Sequence, residues 1–165
     1  MTVQGIDGNL LDSQAQVILH QVNCQGAMNS GVAKAIREKW SIVFDKYANA
    51  CKDNIMKGYP TSNLMGKILP VEVEPGRFIV NAFAEDHYGY DGKRYTSYDS
   101  LMTCLEKTAK YCTDKGLTSV ALPFRMSSDR GGANWDVVWA MVKAAFKDTN
   151  VAIEVWRLNP EKNES

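Results

Sequence analysis

A chain of 165 residues has room for one sizeable core and is expected to form a single domain over residues 1–158, with 159–165 as a polar C-terminal tail. Lys plus Arg and Asp plus Glu each number 19, and that zero net charge argues against a protein that grips nucleic acid chiefly by neutralising phosphates. No apolar run approaches a membrane span, and Met1-Thr2-Val3-Gln4 lacks the basic and then apolar pattern of a secretion signal. The cysteines, Cys24, Cys51, Cys104 and Cys112, form no Cys-x-x-Cys pair, and only two histidines accompany them. They read as reduced thiols of a cytoplasmic protein, not as a zinc site or a disulfide framework. A monomer without metal or cofactor is the expectation.

Residues 2–6 predict a first strand, closed by the turn signal Asp7-Gly8-Asn9. Residues 16–20 predict a second, whose continuous apolar character suits the middle of a sheet. Residues 20–33, His-Gln-Val-Asn-Cys-Gln-Gly-Ala-Met-Asn-Ser-Gly-Val-Ala, then lead through small residues into a helix. A strand, a small-residue loop and a helix start present unpaired backbone N–H groups and a positive dipole end, which favours phosphate. Gly26 and Gly31 allow close backbone approach. Residues 32–51 keep helical spacing through Val32, Ile36, Trp40, Val43, Phe44 and Tyr47. A break is expected near Trp40, with Ser41 capping a second helix. Residues 54–66 read mostly as loop.

Residues 67–74 alternate as a half-buried strand, and Pro70 marks an edge. Pro75-Gly76 turns the chain into a second strand over 77–84, giving a hairpin. Residues 85–96, Glu-Asp-His-Tyr-Gly-Tyr-Asp-Gly-Lys-Arg-Tyr-Thr, are too long for a tight turn and are expected to cover something. Ser97 reads as an N-cap, residues 98–115 as a helix, and Gly116 as its stop. A buried strand over 118–123 leads into a second small-residue loop, 124–133. Asn134 caps a helix striped by Trp135, Val138, Trp139, Val142 and Phe146. Residues 151–158 form a last strand. Alternating strands and helices with one hairpin predict an α/β fold of three α/β/α layers, with a mixed sheet of about six strands. If the strands before the two loops are neighbours, their loops wall one cleft.

Three segments resemble the macrodomain family, the ADP-ribose-binding fold, and within it the branch of terminal ADP-ribose protein glycohydrolases and ADP-ribose-1''-phosphate phosphatases. They are His20 to Arg37, Tyr88-Gly-Tyr-Asp-Gly-Lys-Arg-Tyr-Thr-Ser-Tyr-Asp99, and Leu122-Pro-Phe-Arg followed by Gly131-Gly-Ala-Asn-Trp135. The resemblance implies a macrodomain-like fold that binds ADP-ribose or an ADP-ribosylated substrate. It implies hydrolysis of an ADP-ribosyl ester on protein or of ADP-ribose-1''-phosphate, the alternative being a non-catalytic module that sequesters the nucleotide. Asn9 and Leu10 would lie near adenine, and Asn23 near the distal ribose. Gly26, Met28, Ser30, Gly31 and Val32 would line the diphosphate and distal ribose. Pro123, Ser127, Ser128, Arg130, Gly131 and Gly132 would form the second wall.

Departures from the family pattern also stand in the sequence. Asn29 replaces the first glycine of a Met-Gly-Ser-Gly run, and Asn9 stands where the family often has Asp. Ser127 and Asp129 replace glycines of the second loop, and Glu85 stands where relatives often carry Gln. An Asp beside a diphosphate repels it unless Arg130 compensates. The glycohydrolase branch uses a Lys nucleophile and an Asp acid/base, for which the candidates are Lys93 and Asp129. His20 is either a phosphate-hydrolysing group or a strand-end residue bonded to backbone. Cys24 is read as a plain small residue. Tyr88, Tyr90 and Tyr95 either stack on a ligand base or pack their loop.

Overall fold

The computed structural model describes residues 1–158; the expected polar tail lies outside them. The elements are β1 (Thr2–Asp7), β2 (Val17–Asn23), α1 (Gly31–Lys39), α2 (Ser41–Met56), β3 (Ile68–Glu74), β4 (Arg77–Glu85), α3 (Tyr98–Lys115), β5 (Ser119–Pro123), α4 (Trp135–Phe146) and β6 (Ala152–Arg157). The strands form one sheet in the order β1-β6-β5-β2-β4-β3. Every neighbouring pair is parallel except β3 and β4, the hairpin. β3, with its proline, is an edge.

Side chains alternate across the strands and so build two cores. Val17 and Leu19 of β2 and Val80 and Ala82 of β4 face Leu101 and Leu105 of α3 and Val138 and Val142 of α4. Ile18 and Val22, with Ile79 and Phe83, face Ile36 of α1 and Val43 and Tyr47 of α2. Burying each large apolar side chain contributes about 1.5–3 kcal/mol. The result is the expected three-layer α/β/α arrangement. Among the described residues no helix is long and apolar enough to cross a membrane.

Caps fall where the sequence puts them. Ser97 accepts from the Ser100 amide at 3.2 Å, and Asn134 accepts from Asp136 and Val137. Gly116 ends α3 in the left-handed region, at φ +68°. Ser41, by contrast, is the first residue of α2 and not its cap; Trp40 holds that place, without a side-chain bond. The expected loop over 54–66 also shrinks. α2 runs on to Met56, and Thr61–Leu64 is a short 3-10 helix. Asn54 is buried here, its amide donating to Pro60 O at 2.9 Å and its oxygen accepting from Asn63 at 2.8 Å. Those bonds replace the helix ladder that Gly58, at φ +84°, cannot continue.

Candidate functional site

β2 and β5 are parallel neighbours, so the loops that leave them stand side by side at the carboxyl edge of the sheet, where open α/β folds hold ligands. A cavity of about 770 Å³ opens there, within the size range of small-molecule sites. Residues after β1, the first loop and the start of α1, the segment after β4, the second loop and the end of β6 all line it.

The first loop is organised by Asn23. Its Oδ1 accepts from the Gln25 amide at 2.9 Å and from the Tyr47 hydroxyl at 2.7 Å, and its Nδ2 donates to Ala27 O at 2.9 Å. Tyr47 is fully buried, and its one hydroxyl proton is shared between Asn23 Oδ1 and Asn23 O, the latter also at 2.7 Å, so α2 fixes the loop from beneath. α1 then begins at Gly31, whose φ is +59°. Ser30 makes no side-chain capping bond, and the first turn carries no acidic residue. The first amides of α1 have no intrahelical partners, and Gly31, Val32 and Ala33 line the cavity.

The second loop is held differently. Arg125 and Ser127 occupy the left-handed region at φ +62° and +69°, a conformation that strains any residue with a Cβ. The Ser127 hydroxyl donates to Gln21 Oε1 at 2.6 Å, Gln21 Nε2 donates to the Thr96 hydroxyl at 2.9 Å, and that hydroxyl donates to Ser127 O at 3.1 Å. This closed ring ties the loop to β2 and to the chain before α3. The amides of Tyr95 and Thr96 both donate to Gly131 O, at 2.9 and 3.0 Å. A Cβ on Gly131 would meet Thr96 Oγ1 and, at 2.5 Å, Ser127 O. Asp129 pairs with Arg125 Nε at 3.2 Å. The Arg130 guanidinium lies 4.4 Å from the Tyr90 ring centre, a cation–π contact across the mouth.

Two ionisable groups line the cavity, His20 buried and Glu85 half-buried. His20 accepts no backbone bond, contrary to the strand-end expectation; its Nε2 lies 2.6 Å from Asn81 Oδ1. Asn81 Nδ2 donates to Leu69 O, which fixes that amide and makes His20 Nε2 the protonated nitrogen. Burial lowers the His20 pKa to about 4, so the ring is neutral near pH 7. Burial pushes Glu85 up to about 7. Cys24 is fully buried, and burial, then the nearby Asp86 charge, pushes its thiol up to about 12, away from the reactive thiolate.

The Macro domain family model matches residues 19–142. The chain belongs to the Macro domain family. It is also similar to the DNA ADP-ribosyl glycohydrolase of Mycobacterium tuberculosis, 24% identical over 140 residues, covering 85% of this chain and 37% of that one. It therefore spans little more than a third of that relative's length. The solved macrodomain of Mycobacterium tuberculosis DarG superposes with a TM-score of 0.78 at 22% identity, covering 94% of this chain and 97% of that one. Thermosipho africanus DarTG in complex with ADP-ribose gives 0.75 at 18%, covering 97% of this chain and 42% of that one.

Within this macrodomain, Asn9, Leu10, Asn23, Ser30, Gly31, Val32, Pro123, Ser127, Asp129, Arg130 and Gly131 all line the one cavity. The other candidates lie elsewhere. Met28, at 1% exposure, is part of the core against α1 and α2. Gly26 backs onto Cys51, and Gly132 sits under the backbone of Lys93 and Arg94. Ser128 is buried, its hydroxyl on Met126 O. Lys93 is outside the wall, its side chain 78% exposed and its ammonium 3.8 Å from Asp91. The cation beside Asp129 is Arg125 rather than the expected Arg130, which is engaged by Tyr90. Tyr88 and Tyr90 line the cavity, while Tyr95 bonds Asp91 at 2.8 Å.

Sequence reasoning missed Gln21, Phe124, Arg125 and Trp156 as wall residues. Trp156 had no local signal; it reaches the site because β6 lies beside β1, where its ring approaches Gly8. Among the described residues no group of three or more His, Cys, Asp or Glu is placed to hold a metal ion.

Proposed function

We propose that this cleft binds ADP-ribose and hydrolyses the bond joining an ADP-ribosyl group to its acceptor. The observation that carries this reading is the uncapped start of α1 facing the second loop across a cavity of about 770 Å³: a site for a diphosphate with room for a sugar on either side. Asn9 and Leu10, with Trp156, hold the adenine end. The amides at Gly31 and Val32 and the backbone from Ser127 to Gly131 hold the diphosphate. Asn23, whose side chain is committed to its own loop, shapes the wall at the distal ribose. Asp129, in the cavity wall, is the acid/base candidate. Lys93 enters the chemistry only if residues 85–96 move, because it stands outside the wall. The ADP-ribose complex of a structural neighbour supports the ligand, and the named activity of the mycobacterial relative supports hydrolysis.

Lys93's position favours one second reading, a macrodomain that holds ADP-ribose without turnover. Titration calorimetry with ADP-ribose tests the ligand. Release assays on ADP-ribosylated protein, ADP-ribosylated DNA and ADP-ribose-1''-phosphate test the chemistry. Binding with turnover of one substrate is the expected outcome. Binding alone selects the second reading, and no binding overturns both.

A further inference from the structure

We propose that Glu85 is a proton-carrying ligand contact: as the neutral acid it donates a hydrogen bond to an oxygen of the distal ribose, and as the carboxylate it opposes binding. This rests on the ADP-ribose reading above.

Glu85 is the last residue of β4 and pairs in register with Asn23 of β2, the residue assigned to the distal ribose. It lines the cavity, yet its Oε2 is buried without a hydrogen-bond partner. The other such atom among the described residues is His20 Nδ1, which is a lone pair, since Nε2 carries the proton. Only Glu85 has a proton to offer.

The groups facing Glu85 leave it without a countercharge. From β2 come neutral His20 and the amide of Asn23. From the first loop and α2 come Cys24, Cys51 and Tyr47, all shifted upward by burial and so uncharged near pH 7. Cys104 of α3 is likewise pushed up to about 12. The carboxyl of the following residue, Asp86, accepts from Gln25 and Thr61, with exposed His87 at 3.7 Å. Across the cavity Asp129 is taken by Arg125, and Arg130 lies on Tyr90. Among the described residues no Lys or Arg forms an ion pair with Glu85, and burial alone raises its pKa to about 7. A carboxyl oxygen sealed from water without a partner favours the protonated form, and a bound diphosphate, which carries two negative charges, favours the neutral form further.

The test is calorimetric titration of ADP-ribose into the wild-type protein and Glu85→Gln from pH 6 to pH 9, in buffers of different ionisation enthalpy. ADP-ribose has no group that titrates in this range. Wild-type affinity is expected to fall above pH 7, approaching about tenfold per pH unit, the limit for one linked proton, with net proton uptake on binding. Glu85→Gln donates through its amide at every pH, so its affinity is expected to be flat and without proton uptake. A flat wild-type profile, or a sloping one that Glu85→Gln retains, overturns the proposal while leaving ADP-ribose binding intact. Absence of binding by the wild type at every pH removes the ligand reading and this proposal together. If the variant fails to fold, carbon NMR of the ligand-free wild type decides: a Glu85 midpoint near 7 supports the proposal, and one in the ordinary glutamate range overturns it.

Discussion

The two loops that face each other across the cleft reach similar ends by opposite means. The first turns on glycine and is bonded to its own neighbourhood, Asn23 to Gln25 and Ala27, with Tyr47 below. The second places Arg125 and Ser127 in the left-handed region and is held by side chains from β2 and by the backbone of residues 93–96. Both loops take support from distant segments, the first from Tyr47 and from Asp86 bonded to Cys24 N and Gln25. They differ in backbone strain, since the first puts only glycines, Gly26 and Gly31, in the left-handed region and the second puts residues with a Cβ there.

The largest expected effect is in the second loop. Gly132→Ala puts a Cβ at φ +70° and 2.5 Å from Lys93 O, and is expected to destabilise by about 3 kcal/mol through strain and overpacking. Gly31→Ala, at φ +59° with nothing within 4 Å, is expected to lose only about 1 kcal/mol. Urea midpoints compare them, and equal losses would break the contrast between the loops. Tyr47→Phe tests the first loop from beneath. It removes the donor to Asn23 and is expected to destabilise by about 1–2 kcal/mol and to weaken ADP-ribose binding.

Next comes pH. Glu85 has a raised pKa, so in the window from the ordinary glutamate range to about 7 the native state holds a proton that the unfolded chain has lost. Stability from this group therefore falls as pH rises through that window. His20, lowered to about 4, works the other way: the unfolded chain binds the extra proton, and stability falls as pH drops from the ordinary histidine range toward 4. Glu85→Gln is thus expected to raise the melting temperature relative to wild type more at pH 8 than at pH 5.

Smaller still is Asp129→Ala. The ion pair with Arg125 is exposed on both sides, so stability is expected to change by less than about 0.5 kcal/mol. ADP-ribose affinity is expected to rise about two- to fivefold as an exposed negative charge leaves the wall. Lys93→Ala is expected to change neither binding nor stability measurably, because the ammonium stands in solvent beside Asp91. Loss of turnover in that variant would instead show that residues 85–96 close over the ligand.

What was legible in the sequence follows the same division. The strands, α3 with both caps, and the cavity-lining start of α1 were readable because each rests on signals within a few residues. Glycine spacing, N-cap chemistry and apolar period are local signals. Arg125 as the partner of Asp129 was not readable, nor was the ring of Gln21, Thr96 and Ser127. The ring joins residues brought together by strand order, and the Arg125–Asp129 pair, only four residues apart, depends on the left-handed turns at Arg125 and Ser127, which no glycine signals. Met28, which the resemblance places on the diphosphate and distal ribose, instead fills the core with Ile36 and Tyr47. Ser127 looked like an obstacle to phosphate. In the fold it adopts a glycine-like φ and spends its hydroxyl on Gln21.

The pairing of β1 with β6, in which Thr2 lies opposite Ala152, has a consequence for when the protein becomes competent. The end of the cleft proposed for adenine combines Asn9 with Trp156, and the part proposed for the diphosphate combines Gly31 with Ser127; all four line the cavity. During synthesis the first loop is made early, but the cleft stays open on one side until β6 has been made and has folded back beside β1. Recognition of the proposed nucleotide would thus require the domain through β6, and its binding would stabilise that domain as a unit, by about 2.7 kcal/mol at a ligand concentration of about 100 times Kd.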